Sequence, residues 1–344
     1  MRVLVIGGCG FLGTNLCLYY KRLGAEVVAY DNLAKHEFLR NPYMKPEARF
    51  HNKVTLERNG VEVAVADVRD KDALQSWARG CDHVCHTAAQ PAMTISWEDP
   101  ELDFSTNVTG TFNVLETARR LQVPVAICSS IHTYGPDKIN SELKEEATRY
   151  VRQPAAINED EPLLQGTVTP LHASKRCNEI YAQSYIDTYG MKVACFRLTG
   201  IYGPYQFGGE DHGWVANFAI RTVIGLPVTI FGTGKQLRDI LFAEDVCEGF
   251  NAFFKKPVSG IYTLGGGEEN AISLLESIRV IEDLTGVRSQ VLFEPERRGD
   301  LRYFVADSSR FTKATGWKPL IRPRQGIEKL LDWVKANRRL FADA

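Results

Sequence analysis

Residues 3–13 read Val3-Leu4-Val5-Ile6-Gly7-Gly8-Cys9-Gly10-Phe11-Leu12-Gly13. Four apolar residues run without a polar interruption, as a central parallel strand buried on both faces requires. Glycines follow, and Leu12, Leu16, Tyr19 and Leu23 then recur at helical spacing. Strand, glycine turn and helix in this order fit Gly-x-Gly-x-x-Gly from Gly8 and Gly-x-x-Gly-x-x-Gly from Gly7. One glycine makes the tight turn, a second lets the backbone approach a pyrophosphate, and a third packs helix against strand. The helix N-terminus then offers free N–H groups and partial positive charge to the phosphates. Gly7, Gly10, Phe11, Leu12 and Gly13 are therefore expected around a dinucleotide.

Working outward, residues 27–30 read as a second strand that ends at Asp31 and Asn32. A carboxylate about 20 residues past the glycine loop accepts hydrogen bonds from an adenosine ribose and repels a 2′-phosphate. Asp31 thus points to NAD rather than NADP. Asp67 and Val68 close a third strand at 61–66 and are placed beside the adenine. Strands follow at 83–86, 123–128 and 193–197, with a helix over 102–120 between the first two. A second helix starts at Pro170, where proline suits the first turn and Thr169 can cap. This alternation predicts an α/β fold with a doubly wound parallel sheet. Past residue 198, glycine and proline punctuate short irregular segments. The expected division is a dinucleotide-binding domain at 1–198 and, mainly from 199–344, a smaller substrate-binding lobe, some of whose segments return to the main sheet. The charged stretch 137–161 is long for a connection and reads as a partly helical surface insertion or a lid.

The chain has 344 residues, 44% hydrophobic and 24% charged, with 41 basic and 42 acidic side chains and a formal net charge of −1. That balance argues against a dedicated nucleic-acid binder. No apolar run approaches the roughly 20 residues of a membrane helix, and the opening apolar stretch is too short for a signal peptide. The eight cysteines are scattered through apolar segments, as buried reduced thiols of a cytoplasmic protein are. Cys81, His83, Cys85 and His86 look like metal ligands, but on a strand neighbouring side chains point to opposite faces, so no metal is expected.

Several stretches carry a resemblance. The glycine loop, Asp31-Asn32-Leu33, Ala88-Ala89-Gln90, Asn107-Val108-Thr109-Gly110-Thr111 and Ser129-Ser130 with Tyr134-Gly135 resemble the extended short-chain dehydrogenase/reductase family, which is Rossmann-like in fold. Gln90-Pro91-Ala92-Met93-Thr94, Glu146-Ala147-Thr148-Arg149-Tyr150, Gly213-Trp214-Val215, Gly234-Lys235-Gln236-Leu237-Arg238-Asp239 and Phe304-Val305-Ala306-Asp307 resemble its CDP-paratose (CDP-tyvelose) 2-epimerase branch. The resemblance spans nearly the whole chain. It implies tightly held NAD, a CDP-, UDP- or GDP-linked sugar as substrate, and a homodimer paired through a helix bundle beside the sheet. Ala88 and Ala89 would line the NAD ribose, with Gln90 and Ser129 also at the cofactor and Asn107 supporting the fourth-strand region. Arg238 and Arg297 would clamp the diphosphate, as guanidinium forks do, with Asp300 on the nucleotide ribose. Met93, Thr94 and Trp214 would line the sugar or base pocket.

At the catalytic centre the pattern breaks. The family uses Ser/Thr with Tyr-x-x-x-Lys. Lys175 and Ser130 are in place, but Leu171 stands where the tyrosine would be. Positions i and i+4 share a helix face, and leucine neither gives nor takes a proton. His132, with an unperturbed pKa near 6.5 suited to proton shuttling, is the expected titrating substitute. Lys175, which the resemblance also places on the nicotinamide ribose of NAD, is the second candidate, if burial lowers its pKa. His172 adjoins the lost tyrosine but points about 100° around the helix. The leading expectation is a nucleotide-diphosphate-sugar epimerase that works by transient oxidation to a ketone, at C2 if the branch holds. A 4,6-dehydratase-type elimination and a binder without turnover are the competing readings. A natural or engineered loss of the phenol that blunts an ordinary epimerase is a further explanation of Leu171.

Overall fold

The computed structural model describes residues 1–34, 41 and 43–342. Seven strands form one sheet: β1 (Arg2–Ile6), β2 (Glu26–Asp31), β3 (Glu62–Val65), β4 (His83–His86), β5 (Val125–Ser130), β6 (Val193–Leu198) and β7 (Gly260–Leu264). Their order is β7-β6-β5-β4-β1-β2-β3, and every pairing is parallel. This is the doubly wound sheet expected from the sequence. Its far edge, β7, comes from the C-terminal half of the chain and pairs Gly260 with Ala194 through Leu264 with Leu198.

The strands are apolar on both faces, and side-chain alternation sorts them. Val3, Val5, Val27, Ala29 and Ala126 pack under α1 (Phe11–Arg22) and a helix at Ala243–Lys255, against Leu16, Tyr20, Val246 and Phe250. Leu4, Ile6, Val28, Val84 and Ile127 pack on the opposite face against Val114, Leu115, Ala182 and Tyr185. Those residues belong to α2 (Gly110–Leu121) and α3 (Pro170–Tyr189). Full burial of each valine, leucine, isoleucine or phenylalanine among them contributes about 1.5–3 kcal/mol, so both helical layers are held by the sheet they cover.

Ahead of α2 the helical path is continuous but not uniform. A turn at Pro100–Asp103 runs into a π-helical stretch at Phe104–Thr109, where the sequence suggested one helix. Such bulges frequently mark functional sites, and this one carries Asn107.

Segments mainly past residue 200 gather apart from the main sheet. A three-stranded sheet combines Leu237–Asp239, Ala271–Ser273 and Tyr303–Phe304. A separate core gathers Phe218, Ile220, Ile281, Leu330 and Trp333. Segment 137–161 is no lid: none of its residues reaches the cleft described below. It contains an antiparallel pair, Lys144–Glu145 with Tyr150–Val151, and is bound to the lobe by Tyr150 N–H on Lys235 O at 2.9 Å and by the Arg149–Glu276 ion pair at 2.5 Å. The Asn140 side chain donates to Asp300 O and accepts from Arg302 N–H, so the insertion braces the turn that presents Asp300.

His83 stacks on Phe254 with ring centroids 4.3 Å apart, while Cys85 and His86 are buried on the sheet. Among the described residues no group of three or more His, Cys, Asp or Glu is arranged to hold a metal ion. Among them, too, no helix is long and apolar enough to cross a membrane.

Candidate active site

From β1 the chain runs through β2 to β3 on one side, then crosses back to β4 on the other side of β1. In a doubly wound sheet this reversal opens a crevice beyond the strand ends. A cleft of about 540 Å³ lies there, in the usual range for a small-molecule site. Following β1, β2 and β3 it is lined by Gly10, Phe11, Asp31, Asn32, Val68 and Arg69. Following β4 and β5 come Ala88, Ala89, Gln90, Ser130 and His132, with Leu171 and Lys175 from α3. Gly7, Leu12 and Ser129 also border it, as do Met93, Thr94, Trp214, Arg238, Arg297 and Asp300.

The residues at the first end fit a dinucleotide. Gly7 has φ +81°, and a Cβ there would lie 2.5 Å from Ala88 N. A Cβ on Gly13 would sit 1.9 Å from Gly7 O, so the fold itself demands these two. Gly10 differs. Its φ is −70°, and a Cβ there would meet only Gly7 O, at 3.1 Å. Its open side is the cleft. No side chain caps α1 at Gly10, and no acidic residue stands in the first turn, which leaves the helix N–H groups for phosphate oxygens. The Asp31 carboxylate accepts from Cys9 N–H at 2.9 Å and Leu33 N–H at 2.7 Å, which fixes it at the cleft rim. Gly10→Ala is therefore expected to weaken NAD binding by about 100-fold, some 2.7 kcal/mol, with little change in unfolding midpoint. Calorimetric titration and a denaturant melt check both halves.

Three expected cofactor residues do not reach the cleft. Gly13 packs α1 against the loop. Asp67 turns its carboxylate to Arg69 (Nε 2.9 Å, Nη2 2.7 Å) and to Asn32 Nδ2 at 2.9 Å; the Arg69 guanidinium holds it down at about 2. At this end the cleft is lined by Val68 and Arg69. Sequence reasoning missed Arg69, although its place directly after Asp67-Val68 was a usable signal. Asn107 acts from behind: its side chain donates to Gln90 O, Asp103 and Ser174, and accepts from Gln90 N–H at 2.9 Å. It holds the segment after β4 in place.

At the centre, α3 presents Leu171 and Lys175 one turn apart on the cleft wall, and both are buried. Burial pushes the Lys175 ammonium below its ordinary value, against weaker upward pulls from Cys128 and Asp103. It forms no hydrogen bond or ion pair with any described residue. The Ser130 hydroxyl accepts from His132 N–H at 3.2 Å. The Ser129 hydroxyl faces away and donates to Glu179 at 2.8 Å. His132 corrects the expectation of a titrating shuttle. Burial, with His172, Arg238 and Lys175 nearby, pushes it down to about 3, so its imidazole stays neutral near pH 7. Tyr134 is wholly buried and bonds Asn158 O, Thr263 and Arg197.

On the lobe side, the Arg238 guanidinium donates to Leu237 O at 2.9 Å and to Leu301 O, and lies 3.5 Å from Asp300. Arg297 donates to Glu210 O at 2.7 Å and lies over Phe231, 3.7 Å from the ring centroid. Burial raises the Asp300 carboxyl, while Arg238 pulls it down. The 199–214 connection also reaches the cleft, with Thr199, Tyr205 and Gln206. These residues follow β6 through irregular chain, where periodicity carries no signal.

Comparison with known proteins agrees with this architecture. Residues 3–265 match the family model described as the NAD dependent epimerase/dehydratase family. The chain is 32% identical over 348 residues to CDP-paratose 2-epimerase of Salmonella typhi, covering 98% of this chain and 100% of that one. It is 31% identical to the UDP-glucose 4-epimerase of Thermus thermophilus, solved in complex with NAD, with a TM-score of 0.78 over 98% of this chain and 100% of that one. The UDP-glucuronic acid 4-epimerase of Bacillus cereus, solved with UDP-glucuronic acid and NAD, is 25% identical with a TM-score of 0.80, covering 98% and 99%. With the glycine cradle, the switch-point cleft and a family match across most of its length, the chain belongs to the NAD dependent epimerase/dehydratase family, of the extended short-chain dehydrogenase/reductase type.

Proposed function

We propose that the protein epimerises a nucleotide-diphosphate sugar at C2 by transient oxidation, with Lys175 handling the proton that the family assigns to a tyrosine. The observation that carries this is the buried Lys175 ammonium, without a partner among the described residues and one helical turn from Leu171 on the cleft wall. Leu171 has no exchangeable proton, and a neutral His132 is too weak a base to keep one. An amine whose pKa burial has lowered can take a hydroxyl proton and return it. Full-length similarity to a CDP-paratose 2-epimerase supports the choice of C2.

NAD, when bound, would supply a reversible hydride acceptor. The chain does the rest. Gly7, Gly10, Phe11, Leu12, Asp31, Asn32, Val68, Ala88 and Ala89 hold the cofactor. Ser130 Oγ and His132 hydrogen-bond the reacting oxygen, and Lys175 Nζ takes its proton as the carbon becomes a ketone. Met93, Thr94 and Trp214 leave room for the ketone to present its other face. Arg238 and Arg297 keep the diphosphate fixed through N–H groups not already spent on backbone carbonyls, and Asp300 faces the nucleotide ribose. Residues 1–198 form the cofactor half of this machine and 199–344 mainly the substrate half.

The reading is tested by incubating the NAD-loaded protein with CDP-, UDP- and GDP-linked hexoses, followed by NMR and mass spectrometry. A product of unchanged mass with inverted C2 supports it. Loss of water assigns elimination instead, and no product with any donor leaves a binder. Leu171→Tyr is expected to raise turnover no more than a few-fold. A gain near the 10²-fold typical of general acid–base catalysis would mean that a phenol had merely been lost.

The exposed faces of α2 and α3 carry Phe112, Ile180, Tyr181 and Tyr189, with Phe104 beside them. The Phe112 and Tyr181 rings already meet across the two helices at 6.0 Å. A two-fold copy covers this strip as a four-helix bundle. Ile180→Glu with Tyr181→Glu should give monomers in sedimentation, and an unchanged dimer would place the interface elsewhere.

A further inference from the structure

The Leu171-Lys175 face of α3 leaves His172 without a part. Its ring is wholly buried and meets the His132 ring edge-on, with centroids 5.3 Å apart and planes at 76°. His172 Nδ1 accepts from Thr169 N–H at 3.3 Å and lies 2.5 Å from the Thr169 hydroxyl. A nitrogen that accepts an amide proton carries none of its own, so the proton of neutral His172 is on Nε2. That Nε2 is a buried atom without a hydrogen-bond partner, and so is Nδ1 of His132. Buried polar atoms are normally paired, and each exception calls for an explanation.

The two orphans are complementary. One is a donor; the other can accept. A hydrogen bond of about 2.9–3.0 Å between two imidazole nitrogens, added to the two ring radii, gives the centroid separation seen here. The χ2 torsion of histidine is soft, so a rotation of the His132 ring, with His172 Nδ1 left on Thr169, joins the nitrogens. His132 lines the cleft and Nδ1 is its buried edge, which leaves Nε2 for a substrate oxygen.

We propose that His172 is a positioning residue for His132: its Nε2–H donates to His132 Nδ1 and fixes His132 as the Nε2–H tautomer, a neutral hydrogen-bond donor aimed at the reacting sugar oxygen beside Lys175. The inference rests on the epimerase reading of the cleft. It divides the labour there: Lys175 moves the proton, and His132 stabilises the oxygen as charge develops on it without exchanging its own proton. A preorganised neutral donor in a dry site is worth most where charge appears only in the transition state. Thr169, which caps α3, anchors the far end of the chain Thr169–His172–His132.

The test is nitrogen NMR of the NAD-loaded protein labelled with 15N-histidine, which reads each ring nitrogen as protonated or bare. Both rings should be neutral near pH 7 and protonated at Nε2, with bare Nδ1 atoms. Finding the His132 proton on Nδ1 overturns the proposal whether or not any sugar turns over. Conversely, the tautomers stand if no sugar is epimerised, so the two readings fail separately. His172→Phe should mix the His132 tautomers and lower kcat by about 10- to 100-fold, with KM and NAD affinity within a few-fold. His172→Gln, whose amide can still donate near the Nε2 position, should restore most of kcat and the tautomer. A His132 tautomer unchanged in His172→Phe would overturn the proposal. If that variant fails to fold, the wild-type spectrum and His172→Gln still decide.

Discussion

Glu179→Ala lowers the unfolding free energy by about 3–5 kcal/mol, the usual result of stripping one partner from a buried ion pair. Glu179 is completely buried on α3 and accepts four bonds: from Ser129 Oγ at 2.8 Å, Arg176 at 2.9 Å, and Arg197 Nε and Nη2 at 2.8 and 2.9 Å. Arg197 is itself 3% exposed. Without Glu179 it retains the Tyr134 hydroxyl at 3.0 Å and that ring's face, 4.9 Å from the guanidinium carbon. Neither neutralises a full charge. The same network ties β5, β6 and α3 together, so the loss also loosens the helix that aims Leu171 and Lys175. Replacing both partners with methionine should cost much less, because no charge is then left behind. Urea titration of the wild type and the two variants checks the order. Equal losses in the single and double variants would mean that packing, not the uncompensated charge, sets the cost.

Lys175→Met is expected to act in opposite directions on activity and stability. Turnover falls by about 10²- to 10⁴-fold, the range for a lost general acid–base group, while NAD still binds. Stability rises, because an ammonium buried without a partner among the described residues is replaced by an apolar chain of similar length. The pH dependence follows from the lowered pKa of Lys175. Between that value and the roughly 10.4 of a free lysine, the unfolded chain holds more protons than the folded one. Wild-type stability therefore climbs with pH through this window. The advantage of the variant is largest below the folded pKa and shrinks as pH rises. Activity in the wild type should climb with pH through the same folded pKa, since the amine is the form that accepts a proton. Melts and kcat/KM profiles on one pH series test both. A variant less stable than wild type at neutral pH would show that Lys175 has a partner after all.

What was readable in the sequence was local. The run Val3–Ile6, the glycine spacing and Asp31 lie within one βαβ unit, so their roles follow from turn chemistry and strand period. Leu171 and Lys175 are four residues apart on one helix, and spacing alone brings them to one wall. What escaped depends on contacts between distant segments. β7 joins the sheet from some 60 residues past its neighbour β6, and no periodicity announces such a return. Asp67 turns its carboxylate to Arg69 and Asn32, a competition among three polar groups that pattern cannot rank. His132 was assigned a shuttle's pKa because burial is invisible in sequence. The π-helical turn that sets Asn107 behind Gln90 was missed because its apolar spacing still fits an ordinary helix.

The central claim is that a hydride leaves a sugar carbon and returns to its other face within one cleft. It is tested most directly with a nucleotide sugar carrying deuterium at C2, incubated with the NAD-loaded protein in ordinary water. The product should have inverted C2 with the deuterium still on it, and no solvent hydrogen at any carbon. Epimerised sugar that has exchanged its C2 deuterium for a solvent proton would contradict it.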